Sequence, residues 1–231
     1  MKKEEYSALE AQLGVTFKDS TYITEALTHR SYLNEHKGLK RNHNERIEFL
    51  GDAVLELIVT EALFRQFPDE QEGKLTAYRS ALVNTVSLAK LATDFGIGKY
   101  VLLSRGEAKD TGRARQFILA NAMEAILGAI YLDQGYEVAK KFLETHLLPR
   151  ITEIIEKNLW QDAKSRLQEK AQELENQTPN YQTLEEIGPD HDKRFVVGAY
   201  IGETLIYKGS GRSKQEAEQE AALGALKTKG W

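Results

Sequence analysis

The stretch Asn44–Leu55, with the sequence NERIEFLGDAVL, decides the fold of the amino-terminal half. It predicts a helix in which the acids Glu45, Glu48 and Asp52, three and then four residues apart, share one face. Apolar residues at helical spacing predict its buried side: Ile47, Leu50, Val54, Leu57 and Ile58. Because clustered carboxylates repel one another and resist burial, the pattern favours a bound divalent cation, and their hard oxygens suit Mg²⁺ or Mn²⁺.

A solvated acidic face is the competing interpretation of the same spacing. Glu56 lies near that face too, so spacing alone does not select metal ligands. The exact amino-acid sequence of the stretch is a more specific signal than the spacing of its acids. Together with His43, it resembles the signature of the bacterial ribonuclease III family almost letter for letter. The sequence ALTHRSY of Ala26–Tyr32 also resembles that family, and the similarity extends over the whole chain.

The resemblance implies a magnesium-dependent endonuclease that hydrolyses phosphodiester bonds of double-stranded RNA, with Mn²⁺ able to replace Mg²⁺. It implies products with a 5′ phosphate, a 3′ hydroxyl and a short 3′ overhang, and a role in the processing of rRNA and mRNA precursors. His29 could be taken for a general base. A structural role is favoured instead, because the family does not use this position in chemistry.

Four residues match the metal-site positions of the family: Glu48, Asp52, Asn121 and Glu124. By the same resemblance, Asp52 and Glu124 are expected to be catalytic and to matter most for the rate. Asn121 and Glu124 lie three residues apart in a second predicted helix, Ile118–Ala129, and therefore share a face. Small residues in this helix allow a neighbouring helix to approach closely: Ala125, Gly128 and Ala129.

Asn121 departs from the family, which usually has an aspartate at this position. An amide oxygen can ligate magnesium or hold a water, but it brings no charge, so the site loses one negative charge. A natural working variant is favoured over reduced metal affinity and cleavage, or over an isosteric change introduced to trap a substrate complex. A double-stranded RNA-binding dimer with weak or no cleavage is therefore the second functional hypothesis. An all-α nucleotide pyrophosphohydrolase is the third.

Three further residues match positions that the family places around its cleft or its subunit interface. Glu45 and Glu72 are expected to support substrate positioning or dimer contacts. Phe49 lies beside the acids but off their face, and a buried core position is the alternative to an interface role. The resemblance implies a symmetric homodimer, in which two active centres across a twofold axis cut the two strands of a duplex.

Periodicity up to residue 157 predicts about seven helices and no convincing strand, and hence an all-α endonuclease domain over residues 1–157. Ser20 or Thr21 is expected to cap a helix that carries Ile23, Leu27 and Tyr32. Another helix is expected to begin at Glu72–Leu75. Its later apolar positions are Leu82, Val86, Ala89 and Leu91.

The pattern changes after residue 161 and predicts a small α+β domain, α-β-β-β-α, over residues 162–231. Asp162 can cap its first helix, whose expected apolar positions are Leu167, Ala171 and Leu174. The order of elements resembles a double-stranded RNA-binding domain. The run Gly209–Glu218 matches the most familiar stretch of that family.

Residues for RNA contact follow from this second resemblance. Gln168 and Glu169 are expected to face 2′-hydroxyls, and His191 to enter a second minor groove. Ser213 and Lys214, with Arg212 nearby, are expected to bind phosphate at a helix start. Residues 162–231 carry 10 Lys and Arg against 12 Asp and Glu, so weak phosphate binding with a modest salt dependence is expected.

Composition narrows the class of protein. The chain has 231 residues, 41% of them hydrophobic, and a formal charge of −4, so any RNA contact must come from a local patch or from metal-bridged phosphates. There are no cysteines, which excludes disulfides and cysteine-bound zinc and fits a reducing cytoplasm. No apolar run reaches membrane-spanning length, so a soluble cytoplasmic protein without a membrane partner is expected.

Overall fold

The computed structural model describes residues 6–189 and 193–231. The chain divides into two compact units, Met1–Trp160 and Gln161–Trp231. The first is helical, and the second combines two helices with a three-stranded antiparallel sheet. The predicted fold class is therefore confirmed for both halves. No helix in the described part of the chain is long and apolar enough to cross a membrane.

The described part of the first unit contains nine α-helices and two short 3₁₀ helices at Ile97–Lys99 and Glu107–Lys109. The α-helices are α1 (Ser7–Leu13), α2 (Ser20–Ala26), α3 (Arg30–Glu35), α4 (Glu45–Gln66), α5 (Glu72–Val83), α6 (Thr85–Asp94), α7 (Arg113–Gln134), α8 (Tyr136–His146) and α9 (Arg150–Glu156). Among these residues the only bridge of β type joins Thr28 to Leu102. About seven helices were expected, and the difference arises where single predicted helices are broken in two.

Helices α4 and α7, of 22 residues each, form the centre of the first unit. They pack on each other more extensively than any other pair of elements in the chain. Both helices bury branched or small apolar side chains against each other and the surrounding helices, which removes most of their apolar surface from water. The fully buried members include Leu55, Ile58, Leu63, Ile126 and Ala129.

The sequence prediction was wrong at two helix breaks. Asp19, rather than Ser20 or Thr21, caps α2 by accepting a hydrogen bond from the Thr21 N–H at 2.9 Å. That helix stops at Ala26, because the backbone of the next residues pairs with Leu102 instead of continuing the helical ladder. Tyr32 belongs to the separate helix α3.

The second break lies at Asn84, whose extended backbone (ψ 161°) separates α5 from α6. The Asn84 side chain accepts a hydrogen bond from the Ser87 N–H at 2.9 Å and so caps α6. Two predicted core positions in this unit are in fact exposed: Val86 and Leu57. Leu57 is 59% exposed although its spacing along α4 matches that of the buried residues.

The second unit has the predicted order of elements: α10 (Ala163–Glu175), β1 (Pro179–Ile187), β2 (Arg194–Ile201), β3 (Thr204–Gly211) and α11 (Lys214–Lys229). Strand β2 lies in the middle of the antiparallel sheet. Asp162 caps α10 by accepting from the Ser165 N–H at 3.0 Å, and Ser213 caps α11 by accepting from the Glu216 N–H at 3.1 Å. One face of the sheet packs on both helices. Leu174, expected in this core, is exposed.

Candidate active site

Two glycines bring α4 and α7 into backbone contact. A Cβ atom built on Gly51 would lie 1.8 Å from the Glu124 carbonyl oxygen, and one built on Gly128 would lie 2.3 Å from the Ile47 carbonyl oxygen. No side chain can occupy either place, so the helices cross closer than side-chain packing would allow. Residues close to these contact points on either helix therefore lie near the same crossing of α4 and α7.

Four predicted ligand residues meet at this crossing: Glu48, Asp52, Asn121 and Glu124. The Asn121 side chain lies near enough to the Glu48 carboxylate to stabilise its charged form. Asp52 and Glu48 act electrostatically on Glu124 across the helix pair. Glu48 and Glu124 are half-buried, whereas Asp52 is exposed. The acids of two distant parts of the sequence thus share one partly desolvated cluster with a side open to solvent.

The cluster shifts the pKa values of its buried members upward. Burial, followed by repulsion from Asp52 and Glu48, raises the pKa of Glu124 to about 7. Burial and then the charge of Glu45 raise the pKa of Glu48, with a smaller increase from Asp52, and the hydrogen bond from Asn121 opposes the shift. Both carboxyl groups resist carrying a negative charge here, which is the condition that a divalent cation relieves.

The side chains of the cluster are of the kind that commonly bind Mg²⁺ in proteins. Among residues 6–189 and 193–231, no group of three His, Asp or Glu side chains is arranged so that it could hold a metal ion alone. Mg²⁺ prefers hard oxygen ligands, dehydrates reluctantly, and usually takes one or two carboxylates together with waters and substrate phosphates. The carboxylates of the cluster and the Asn121 amide oxygen supply ligands of this kind, and the open side leaves room for a phosphate.

Glu45 lies one turn before Glu48 at the start of α4, where it is exposed and faces two basic side chains. Its carboxylate oxygens lie 3.5 Å from Arg30 Nη1 and 3.8 Å from His43 Nδ1. His29 caps α3 by accepting from the Ser31 N–H at 3.3 Å, and burial lowers its pKa. His29 therefore has a structural contact that agrees with the role favoured for it from the sequence.

The other two predicted support residues lie elsewhere on the first unit. Phe49 is 80% exposed, so the alternative of a core position is wrong. Glu72 is the first residue of α5, accepts a hydrogen bond from Thr76 Oγ1 at 3.1 Å, and lines an apolar groove with Phe64 near the far end of α4. Phe64 is 16 residues beyond Glu48, which is about 24 Å along the helix. One copy of the chain does not bring Glu72 to the acid cluster.

In the second unit, the predicted RNA-binding side chains of α10 are exposed. Gln168 and Glu169 line an open groove along this helix. The Glu169 carboxylate accepts a hydrogen bond from Gln161 Nε2 at 2.6 Å. His191 lies outside the described residues, so its predicted groove contact has no structural counterpart here.

The start of α11 presents three more of the predicted residues. Arg212 and Lys214 are exposed, and the Arg212 N–H donates to the Glu216 carboxylate at 3.0 Å. The Ser213 hydroxyl oxygen accepts the hydrogen bond that caps α11, and a hydroxyl that accepts in this way can still donate its hydrogen to a phosphate. Lys214 Nζ lies 3.1 Å from the carboxylate of Glu186 in β1.

Sequence reasoning missed two residues that shape these surfaces. Gly51 interrupts an otherwise strong helix pattern, and a glycine within a helix is the available signal of close approach. Glu186 gave no such signal, because its partner Lys214 is distant in sequence and is reached only through strand pairing.

Comparison with known proteins gives a family match for each of the two units. Residues 19–151 match the family model described as ribonuclease-III-like, and residues 163–229 match the double-stranded RNA binding motif. The chain is 44% identical to ribonuclease 3 of Desulforamulus reducens over 96% of this chain and 91% of that protein. It is 45% identical to ribonuclease 3 of Oceanobacillus iheyensis over 94% of this chain and 95% of that protein.

A solved structure agrees with the first unit. The nuclease domain of ribonuclease III from Campylobacter jejuni, described with a flexible region involved in dimer formation, has a TM-score of 0.55 and 42% identity. The match covers 62% of this chain and 99% of that domain. With the family model matching more than half of the chain and full-length relatives above 40% identity, the chain belongs to the ribonuclease III family of endoribonucleases.

Proposed function

We propose that this enzyme is a magnesium-dependent endonuclease for double-stranded RNA, with residues 1–157 as its catalytic domain and residues 162–231 as its RNA-binding domain. The observation that carries the proposal is the convergence of Glu48, Asp52, Asn121 and Glu124 where α4 crosses α7. The division of the chain between Trp160 and Gln161 supports the two domain ranges.

Side chains of the cluster serve as ligands and orienting groups. Asp52 is exposed and can reach a phosphate from the open side. Glu124 holds the deeper position and is only partly ionised at neutral pH, so a bound cation would favour its charged form. Asn121 stabilises the charged form of the neighbouring Glu48 carboxylate. When bound, magnesium supplies Lewis-acid activation of a water nucleophile and neutralises charge on the leaving oxygen, with Mn²⁺ able to replace it. Products with a 5′ phosphate and a 3′ hydroxyl follow from attack at phosphorus with departure of the 3′ oxygen.

The Asn121 amide supports a natural variant that works, because an amide oxygen can still ligate magnesium or hold a water. A neutral donor to Glu48 keeps that carboxylate oriented, and two acids remain beside it for the cation. The second candidate is a double-stranded RNA-binding dimer with little cleavage, and the missing charge at Asn121 is the observation that favours it. Cleavage with and without magnesium separates the two functions.

A symmetric homodimer is supported by an exposed apolar stripe along α4. Phe49, Leu57 and Phe64 are 80%, 59% and 70% exposed, and they follow one another at intervals of 8 and 7 residues along one side of the helix. Apolar residues repeated in this way mark an interaction surface. A twofold axis near Leu57 would pair the α4 helices antiparallel, with Phe49 of one copy beside the partner's Phe64. The dimer would then place two acid clusters on one assembly, as cutting both strands requires.

Duplex RNA is the partner proposed for the second unit. Double-stranded RNA presents 2′-hydroxyls in a wide minor groove and phosphates across a narrow major groove. Exposed Gln168 and Glu169 on α10 suit the hydroxyls, and Lys214 with Arg212 at the start of α11 suits the phosphates. The assignment of His191 to a second minor groove remains a proposal from the sequence. Processing of rRNA and mRNA precursors in the cytoplasm is proposed from the bacterial ribonuclease 3 relatives.

Cleavage of a labelled RNA duplex tests the proposed function. The purified chain is incubated with the duplex and with each of its single strands, in Mg²⁺, in Mn²⁺ and in EDTA. We expect cleavage of the duplex in either metal, no cleavage in EDTA, and little cleavage of the single strands. Duplex binding without metal-dependent cleavage would instead establish the binding-only function. Absence of both binding and cleavage would contradict both.

A further inference from the structure

One carboxylate in the second unit forms ion pairs with two lysines, and one of these is Lys214, which the proposed function assigns to RNA phosphate. Glu186 lies near the end of β1, and its Oε1 is 3.1 Å from Lys214 Nζ. Its Oε2 is 3.3 Å from Nζ of Lys193, which directly precedes β2. The Lys214 ammonium also lies 5.6 Å from the centroid of the Phe195 ring. Each oxygen of Glu186 thus binds one ammonium group.

Strand register explains why these groups meet. Phe195 in β2 pairs with Glu186 in β1 on one side and with Gly211 in β3 on the other. Gly211 ends β3, and α11 begins three residues later at Lys214. The helix start is therefore held at the same end of the sheet as Glu186. Lys214 reaches the Glu186 carboxylate alongside the Phe195 ring.

The Glu186 carboxylate is an anion placed where the RNA phosphate is expected. Hydrogen bonds from Lys214 and then from Lys193 lower the pKa of Glu186, so it is ionised at neutral pH. A carboxylate and a phosphate attract an ammonium group by the same charge-assisted hydrogen bonds. A phosphate that approaches Lys214 must therefore displace Glu186 or share the ammonium group with it. A Glu186 side chain left beside that phosphate repels it.

We infer that Glu186 competes with RNA phosphate for Lys214 and Lys193 and thereby limits the affinity of this enzyme for duplex RNA. The inference rests on the proposed function, in which Lys214 binds phosphate. It adds a residue that sets affinity without contacting a base or the reacting phosphate. The second unit has a formal charge of −2, so it has few basic side chains to bind phosphate. Whether these two lysines are paired with Glu186 should therefore have a large effect on its affinity for RNA.

Equilibrium binding of the full-length chain to an RNA duplex of about 20 base pairs, in EDTA to prevent cleavage, tests this competition. Glu186→Gln removes the competing charge and keeps the side-chain size. The matched control is Glu185→Gln, which changes net charge equally at the adjacent exposed position. We expect Glu186→Gln to tighten Kd by roughly two- to five-fold more than Glu185→Gln does. Equal effects of the two variants would overturn the inference.

A double-mutant cycle shows whether the gain passes through the lysine. In a Lys214→Ala background, the advantage of Glu186→Gln over Glu185→Gln should shrink, because only Lys193 is left to release. An undiminished advantage would show a general charge effect and would overturn the inference. Circular dichroism of each variant checks that the second unit is folded, which is expected because the three substituted residues are exposed.

Failure of the inference and failure of the proposed function give different results in this experiment. If Lys214→Ala alone leaves the Kd for the duplex unchanged, the phosphate-binding role of Lys214 is wrong, and the proposed RNA-binding surface fails with it. If Lys214→Ala weakens binding but Glu186→Gln and Glu185→Gln behave alike, the RNA-binding surface stands and only the competition is disproved.

Discussion

Gly51 in α4 faces the backbone of Glu124 in α7 so closely that a Cβ atom on Gly51 would lie 1.8 Å from the Glu124 carbonyl oxygen. This contact sets the separation of the two helices that carry the acid cluster. Glu48 lies one turn before Gly51, and Asp52 directly follows it. In α7, Asn121 lies one turn before Glu124. The chemistry of the cluster therefore depends on a position that has no side chain.

Gly51→Ala should lower the free energy of unfolding by about 3 kcal/mol, because the added methyl forces the α4 and α7 backbones apart. It should also abolish cleavage, since the acids separate with the helices. Chemical denaturation measures the first effect. Gly73→Ala is the matched control: its Cβ would meet no atom within 4 Å in α5, so it should not destabilise the fold. A Gly51→Ala variant as stable as the parent would contradict the close crossing.

Glu124→Gln should stabilise the metal-free protein at alkaline pH. The pKa of Glu124 is about 7 in the fold against 4.5 for an unperturbed glutamate, so the native state retains a proton that the unfolded state releases. The free energy of unfolding therefore falls as pH rises between these two values and stays low above them. Glutamine removes this penalty and should raise the free energy of unfolding at pH 8 by on the order of 1–2 kcal/mol, after allowance for solvent screening.

Thermal unfolding in EDTA at pH 4.5 and pH 8 measures this difference between Glu124→Gln and the parent. The two proteins should differ much less at the lower pH, where the native state keeps the Glu124 proton and the unfolded state has lost only part of it. A stabilisation by Glu124→Gln that is equal at both pH values would show that the charge of Glu124 is not its cause.

Asn121→Asp should make the fold more dependent on metal. Aspartate replaces the amide donor to Glu48 by a further negative charge, so the metal-free protein loses stability. The added charge should tighten Mg²⁺ binding by roughly tenfold and speed cleavage at limiting Mg²⁺. Calorimetric titration with Mg²⁺ measures the affinity. Asn34→Asp, an equal change at an exposed position of α3, should leave it unchanged. An Asn121→Asp variant with unaltered affinity would remove Asn121 from the ligand set.

Phe49→Asp or Phe64→Asp should convert the homodimer to monomers, because each places a charge in the exposed apolar stripe of α4. Analytical ultracentrifugation measures the mass in solution. Val86→Asp is the matched control, since Val86 is an exposed apolar residue of α6 outside the stripe. Retention of the dimer by both phenylalanine variants would show that the interface lies elsewhere.

Local signals in the sequence predicted much of the fold. Asp162 is a short polar residue before a helical run and caps its helix as expected. The last helix begins beside Ser213, as expected, and Ser213 proves to be its cap. The change of pattern after residue 161 predicted that the second unit contains three strands between two helices. Gly128, noted as a small residue that allows close approach, does contact a neighbouring helix through its backbone.

Other features depend on contacts that no local pattern encodes. The end of α2 is set by pairing with Leu102, far along the chain, and could not be predicted from helical spacing. Leu57 matches the apolar period of α4 yet is exposed, because periodicity marks apolar faces without distinguishing a core from an interface. The acid cluster was predicted from resemblance and spacing, but the crossing at Gly51 that assembles it is a tertiary contact.

Electron paramagnetic resonance of Mn²⁺ titrated into the protein measures how strongly the acid cluster binds a cation. Binding by the parent chain should weaken about tenfold or more in each of Glu48→Gln, Asp52→Asn and Glu124→Gln, since all three carboxylates face the same crossing. Glu137→Gln, at an exposed position of α8, should bind Mn²⁺ as the parent does. Equal Mn²⁺ affinity in all of these proteins would contradict a metal centre built from α4 and α7.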